Sequence, residues 1–248
     1  WNNIVEKRMY ITGGIGSSGF LERFTADYDL PNDCNYSETC ASIGMAMFGI
    51  RMANITGESK YADIVELELY NNILAGAALD GKSFFYVNPL RVKPEFCMEH
   101  TSKAHVKSVR QKWFGVACCP PNIARTFASL GQYIYGIGRS DIYIHLFIAN
   151  RAELSVQGQE VQIEIETEMP WKGNTRIHIC GVKKKINLYI RIPEYAENCR
   201  IYSENAEAAQ RIDKGYACLE LEKNTDIRIC FDFSVRFLRA NTEVDYNI

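Results

Sequence analysis

What the chain lacks narrows it first. No apolar run approaches the roughly 18 residues that a membrane span needs, so no membrane is expected as partner. Neither sign of charge is in excess. The chain has 28 Lys and Arg against 30 Asp and Glu, a formal net charge of -2, and this balance gives no reason to expect nucleic acid or an anionic lipid surface as partner. There is no signal peptide, and the chain opens on Trp1 rather than Met, in what reads as mid-helix, so an internal fragment of a longer protein is expected. The Cys-x-x-Cys spacing of common zinc sites is also missing. The nine cysteines are odd in number and unevenly placed. That argues against a secreted disulfide framework and for reduced thiols in the cytoplasm, some of them metal ligands. What remains is the composition of a soluble globular protein, 47% hydrophobic and 23% charged, whose 248 residues suit one large domain or two ordinary ones. A homo-oligomer is left open.

The chain changes character near Gly138-Arg139. Before that point apolar residues recur at helical spacing: Ile43, Met47 and Ile50; Ile64, Leu67 and Leu74; Ile123, Phe127, Leu130 and Ile134. This predicts helices near 1–9, 38–54, 59–76 and 121–136, joined by long loops over 12–36 and 80–119. Loops longer than about 15 residues inside a compact domain tend to be functional. After the change, alternating runs take over at 142–148, 161–167, 186–192, 217–222 and 227–233, many of them separated by glycine or proline. Alternation predicts antiparallel strands with one buried face, hence a β-sandwich. The fold class expected is α+β with two domains, helices in 1–138 and strands in 139–248.

Chemistry-bearing residues fall on the long loops or where they meet helices. Gly14-Ile15-Gly16-Ser17-Ser18-Gly19 has the spacing of a dinucleotide fingerprint. That fingerprint needs a helix starting in the loop and a returning parallel strand, and Pro31 interrupts any such helix. A loop that lets backbone approach a ligand fits better. Glu22 sits in the same loop, where a lone glutamate is ordinarily a solvated charge. Ser37-Glu38-Thr39-Cys40 opens a helix with Ser37 as a credible N-cap, and Glu38 would favour the helix dipole whatever else it does. Positions i and i+2 of a regular helix point to different faces, so Glu38 and Cys40 can share a metal only if this turn is irregular or extended.

Cys118 and Cys119 are adjacent and followed by Pro120-Pro121. They could be buried apolar residues, a vicinal disulfide or metal ligands. Pro120 biases Cys119 towards an extended backbone and Pro121 suits a first helical turn, which places both thiols ahead of a helix N-terminus, where thiolate is favoured. With Cys40 and Glu38 they make three soft ligands and one carboxylate, a plausible zinc set. The other six cysteines show no ligand spacing. His145 and His178 fall in strand patterns, while His100 and His105 lie in the loop before the cysteine pair.

Three long motifs carry a resemblance: YITGGIGSSGFLERFTADYDLPNDCNYSETCAS, then FFYVNPL, then RQKWFGVACCPPNIARTFASLGQYIY. In this order they resemble glycoside hydrolase family 127, the β-L-arabinofuranosidase family, over residues 1–138, and the strand region is similar to the sandwich that follows there. The resemblance implies an (α/α)6 catalytic barrel and a retaining reaction on an arabinofuranoside-like carbohydrate. It makes Cys118 the nucleophile and Glu22 the general acid/base. Glu38, Cys40, Cys118 and Cys119 become zinc ligands, and Tyr86 lines the sugar site. A six-hairpin barrel needs about a dozen helices and four are legible, so only its C-terminal part is expected, with apolar helix faces left exposed. Two other readings stand beside this one. A non-catalytic carbohydrate-binding protein on the same scaffold would need neither Glu22 nor the thiols. A nucleotide-binding oxidoreductase would need a βαβ unit, and none is legible.

Overall fold

The computed structural model describes residues 1–116, 118–204, 206–208 and 211–246. Helices come first: α1 (Asn2–Lys7), α2 (Thr39–Thr56), α3 (Ser59–Leu67), α4 (Leu74–Gly76), α5 (Cys119–Ala128) and α6 (Gly131–Ile134). α3 and α4 are joined through a π-helical turn, Glu68–Ile73. The expected segment 59–76 is thus helical throughout but widened in its middle. α2 buries Ile43, Ala46, Ile50 and Ala53, the three- and four-residue spacing that a packed helix face requires. Gly57, at φ +66°, ends it by donating its amide to the Ala53 carbonyl at 2.8 Å, a conformation that favours glycine. Phe48, Ile55 and Leu74 remain exposed on these helices, as expected of apolar faces.

The expected helix 121–136 is shorter. It breaks after Ala128, and Tyr135 already begins a strand. The strands are β1 (Tyr135–Ile137), β2 (Asp141–Ile144), β3 (Asn150–Val156), β4 (Gln159–Thr167), β5 (Asn174–Cys180), β6 (Ile186–Arg191), β7 (Asn198–Ser203), β8 (Ala206–Glu207), β9 (Arg211–Asp213), β10 (Tyr216–Leu221) and β11 (Thr225–Asp232). They form two sheets, ordered β1-β2-β6-β10-β9 and β3-β4-β5-β11-β7-β8. Alternation does what it should: Val161, Ile163 and Ile165 of β4 and Ile227, Ile229 and Phe231 of β11 are buried. Each contributes about 1.5–3 kcal/mol by leaving water. One pairing departs from the all-antiparallel expectation, because β2 and β6 run parallel. A parallel pair needs a long crossover. Residues 145–185 supply it by building β3, β4 and β5 of the other sheet before the chain returns.

By proximity the chain divides into two compact units. One comprises Trp1–Gly49, Ile64–Ala128 and the described residues from Phe237 onward; the other comprises Ile50–Asp63 and Ser129–Arg236. A buried polar network explains why the short helical stretch groups with the strands. Arg191, fully buried, pairs with Asp63 at 2.5 Å and donates its Nε to the His145 carbonyl at 2.5 Å. The His145 ring meets the Tyr216 hydroxyl through Nδ1 at 2.7 Å and Asn54 Oδ1 through Nε2 at 3.0 Å. Asn54 Oδ1 only accepts, so Nε2 carries the proton and Nδ1 accepts from Tyr216. Burial, with Arg191 adding to it, lowers the His145 pKa to about 3. The ring is therefore neutral and shared between helix and sheet.

Candidate active site

The site is built where the turn that opens α2 meets the long loop 80–119. Isolated antiparallel bridges pin that loop: Glu38 to Val87, Ala77 to Phe84 and Phe84 to Gln111. Thr39 donates its amide to the Tyr86 carbonyl and its hydroxyl to the Phe85 carbonyl, each at 3.0 Å. Asn88 ties the same turn from the other side, its amide group reaching the Ser37 carbonyl at 3.1 Å and Thr39 Oγ1 at 3.0 Å. Phe84, Tyr86, Val87, Val106 and Cys119 form a buried cluster against which Tyr36, Cys40, Phe114 and Cys118 pack. The segment FFYVNPL is thus a splint for the turn that opens α2.

That splint resolves the spacing problem of Glu38 and Cys40. The helix begins at Thr39, and Glu38, bridged to Val87, is still extended. Glu38 therefore reaches the Glu/Cys cluster from outside the helix, while Cys40 reaches it from the first turn. Ser37 is not the N-cap expected. It lies in the left-handed region at φ +39° and its hydroxyl meets the Asn35 amide at 2.8 Å. Cys119, expected extended, is the first helical residue of α5; the prolines after it occupy a first turn whose amides would have no helical partner anyway. Cys118 precedes the helix, and its carbonyl accepts from the Asn122 backbone amide at 3.3 Å.

The donor atoms of Glu38, Cys40, Cys118 and Cys119 all lie within 4.8 Å of one another. Cys40 Sγ to Cys119 Sγ is 3.4 Å, Cys118 Sγ to Glu38 Oε1 is 3.1 Å, Cys119 Sγ to the same oxygen is 3.9 Å, and the adjacent sulfurs stand 4.0 Å apart. Ligands on a tetrahedral ion with bonds of about 2.0–2.3 Å stand about 3.3–3.8 Å from one another. The donor set fits a metal in number, and its separations, from 3.1 Å up to 4.8 Å, bracket that spacing. All nine cysteines are free, the adjacent pair included.

The three thiols respond differently to their surroundings. Cys40 and Cys119 share a hydrogen bond that holds the Cys40 pKa down and, with burial, pushes that of Cys119 up. Burial pushes Cys118 up to about 11. On their own the sulfurs do not ionise together; a cation bound among them would favour all three thiolates at once. The Tyr86 hydroxyl meets Cys118 Sγ at 3.0 Å. Burial and that contact raise the Tyr86 pKa, so the phenol keeps its proton and is the donor.

Glu22 is exposed at the tip of a tight turn closed by paired amide bonds between Ser18 and Arg23, each 3.2 Å. Leu21 and Glu22 both sit at positive φ, 57° and 50°, a conformation that costs a non-glycine residue energy and tends to mark functional loops. Tyr36 donates its hydroxyl to Glu22 Oε1 at 2.8 Å. The Tyr36 ring packs edge-on against Tyr86 with centroids 6.0 Å apart, and His105 packs on its other side at 5.7 Å. A chain of contacts thus runs from Glu22 through Tyr36 and Tyr86 to Cys118. Tyr36, Asn88 and His105 in its packing role were not singled out from the sequence. Tyr36 and Asn88 lie inside the quoted motifs, but nothing in spacing distinguishes them from core residues. The glycine loop lacks the helix and the parallel strand that a dinucleotide fingerprint needs. Only the three-residue turn Phe20–Glu22 follows it, and Met9 pairs with Ile15 antiparallel.

The carboxylate–thiol cluster, with a second carboxylate linked to it through Tyr36 and Tyr86, lies in a chain that resembles known hydrolases. The profile described as β-L-arabinofuranosidase, GH127 catalytic domain, matches residues 1–132, and that of the GH127 middle domain matches residues 141–235. The chain belongs to glycoside hydrolase family 127. A non-reducing end β-L-arabinofuranosidase of Bifidobacterium longum subsp. longum is 39% identical, the match covering 98% of this chain and 38% of that protein. The crystal structure of a GH127 β-L-arabinofuranosidase from Geobacillus stearothermophilus T6 superposes with a TM-score of 0.93 at 41% identity, over 98% of this chain and 39% of that one. A second GH127 β-arabinofuranosidase structure gives 0.88 at 34% identity, over 99% and 40%. The chain spans about two fifths of the length of these relatives.

Proposed function

We propose that this chain carries the catalytic centre of a retaining glycoside hydrolase that removes terminal β-L-arabinofuranosides, with residues 1–138 forming part of an (α/α)6 barrel and 139–248 a β-sandwich. The observation that supports this best is the convergence of Glu38, Cys40, Cys118 and Cys119, with Tyr86 on Cys118 and Glu22 tied to Tyr36. The four converging residues would hold zinc, whose preference for thiolate with carboxylate suits the set. Zinc, when bound, supplies positive charge that keeps the Cys118 sulfur deprotonated near neutral pH.

The chain's own residues then divide the work. Cys118 Sγ attacks the anomeric carbon, and a carbon–sulfur bond forms as the bond to the leaving oxygen breaks. Glu22 gives its proton to that oxygen. In the second half Glu22 takes a proton from water, the water oxygen bonds to the anomeric carbon, and the sulfur leaves as thiolate. Two inversions give retention, the logic of glycosidases that use two carboxyl groups, with sulfur in place of one. Tyr36 orients Glu22. Tyr86 donates to the attacking sulfur and lines the sugar site. A thiol set that must stay reduced suits the cytoplasm, and a homo-oligomer is compatible with this reading.

The test uses the full-length enzyme. Glu22→Gln should abolish turnover of alkyl β-L-arabinofuranosides while sparing the first, bond-breaking step on activated aryl ones, because a good leaving group needs no proton. Equal losses on both would contradict the acid role.

A further inference from the structure

A second nucleophilic cluster lies in the strand unit. Along β5, residues two apart share a face, so His178 and Cys180 both point to the outer side, opposite buried Ile177 and Ile179. On the neighbouring β11, Asp226 is registered directly across from His178. The Asp226 carboxylate meets His178 Nδ1 in a short hydrogen bond, and Cys180 Sγ stands 2.9 Å from His178 Nε2. A carboxylate only accepts, so Nδ1 carries the ring proton and Nε2 presents its lone pair to the thiol. The order is carboxylate, imidazole, thiol, the arrangement in which an imidazole serves as base for a sulfur nucleophile.

The surroundings leave that sulfur approachable. Cys180 is only half-buried, His178 and Asp226 have side chains 56% and 80% exposed, and the thiol borders an open cavity of about 370 Å³ lined also by Arg151, Glu153, Gln162 and Glu164. Glu164, which faces His178 from β4, is engaged by Arg151 at 2.7 Å, so it leaves the imidazole to Asp226. The other strand-unit cysteines differ. Burial pushes Cys199 up to about 11, and Cys218 accepts from Arg211 at 3.6 Å. Among the described residues Cys180 alone is hydrogen-bonded to a histidine.

We infer that Cys180 is a modification site, a base-assisted thiol that undergoes exchange with low-molecular-weight disulfides. In the step, the Cys180 proton passes to His178 Nε2 and the sulfur attacks one sulfur of the disulfide R–S–S–R. The Cys180–S–S–R bond forms as the R–S–S–R bond breaks, and the departing RS⁻ takes the proton from His178. No further oxidant is required. Hydrolysis uses none of these residues, so this site stands or falls apart from the glycosidase reading.

The test exposes the full-length, metal-loaded enzyme to glutathione disulfide and follows glutathionylation by intact mass and peptide mapping. The peptide holding Cys180 should be modified first, and Cys180→Ser should remove that early product. His178→Asn should slow it at least tenfold and Asp226→Asn several-fold, both with the unfolding midpoint unchanged. First modification at another cysteine, or His178→Asn reacting at the parent rate, overturns the proposal. Should His178→Asn shift the midpoint, the Asp226→Asn rate decides.

Discussion

Cys118 has two neighbours that pull on it in opposite ways. It lies 3.1 Å from a Glu38 oxygen that can hold its proton and 3.0 Å from a Tyr86 hydroxyl that stabilises the thiolate. Without a cation burial prevails and the thiol stays protonated up to about 11. In the proposed function a bound metal would therefore decide the ionisation of this sulfur, and Cys119, fully buried, would shape the cation site and not attack. Cys119→Ser should leave well under one metal per chain and abolish turnover, measured by elemental analysis beside an assay; full metal content would show that the set is not shared. For Tyr36, the hydrogen bond to Glu22 is worth about 0.5–1.5 kcal/mol net. Tyr36→Phe should accordingly lower kcat/KM by roughly 2- to 10-fold, more on alkyl than on aryl arabinofuranosides. An equal loss on both would mean that Tyr36 serves binding and not the orientation of Glu22.

At the scale of elements, the network joining Asp63, Arg191, His145, Tyr216 and Asn54 does for the strand unit what FFYVNPL does for the site. The His145 pKa falls from the ordinary 6.5 to about 3 on folding, so between those values the unfolded chain binds the extra proton. The resulting stability is complete above pH 6.5 and is lost as pH falls towards 3, at up to about 1.4 kcal/mol per pH unit. Urea unfolding at a series of pH values should show this slope, and His145→Gln should flatten it. Asp63→Ala removes the carboxylate that pairs with the buried Arg191 charge, a change that costs about 3–5 kcal/mol; a midpoint within error of the parent would contradict the pairing. Much of the element order was legible because helical and alternating periodicity record burial directly. β3 was missed although Ala152, Leu154 and Val156 alternate with Arg151, Glu153 and Ser155, because its inward side carries a small alanine and only Val156 is fully buried. The parallel β2–β6 pair was missed because register between distant strands leaves no local trace.

Across the whole molecule, the candidate site was legible in unequal parts. The adjacent cysteines announced themselves by chemistry, and Glu38 and Cys40 by donor type, with the extended backbone at Glu38 supplying the geometry that helical spacing denied. Glu22 is an exposed loop glutamate, and only the family motif distinguished it. Its support from Tyr36 is a contact between loop segments that no periodicity encodes. A cluster drawn from the start of α2, the residue before α5 and the loops beside them also ties together segments far apart in sequence. Removing the metal from the full-length enzyme with a chelator should therefore lower its unfolding temperature and open Cys40, Cys118 and Cys119 to thiol reagents, with re-metallation reversing both. An unchanged melting curve would mean the cluster carries no structural role.

The proposed chemistry puts sulfur, and not a carboxylate, on the sugar. The most direct measurement is mass spectrometry of full-length Glu22→Gln enzyme after reaction with an activated aryl β-L-arabinofuranoside, where the second step lacks its base. The predicted result is an enzyme heavier by one anhydropentose unit, with the added mass on the peptide that begins α5 and localised to Cys118. A pentosyl group found on a carboxylate, or turnover with inverted configuration, would contradict it.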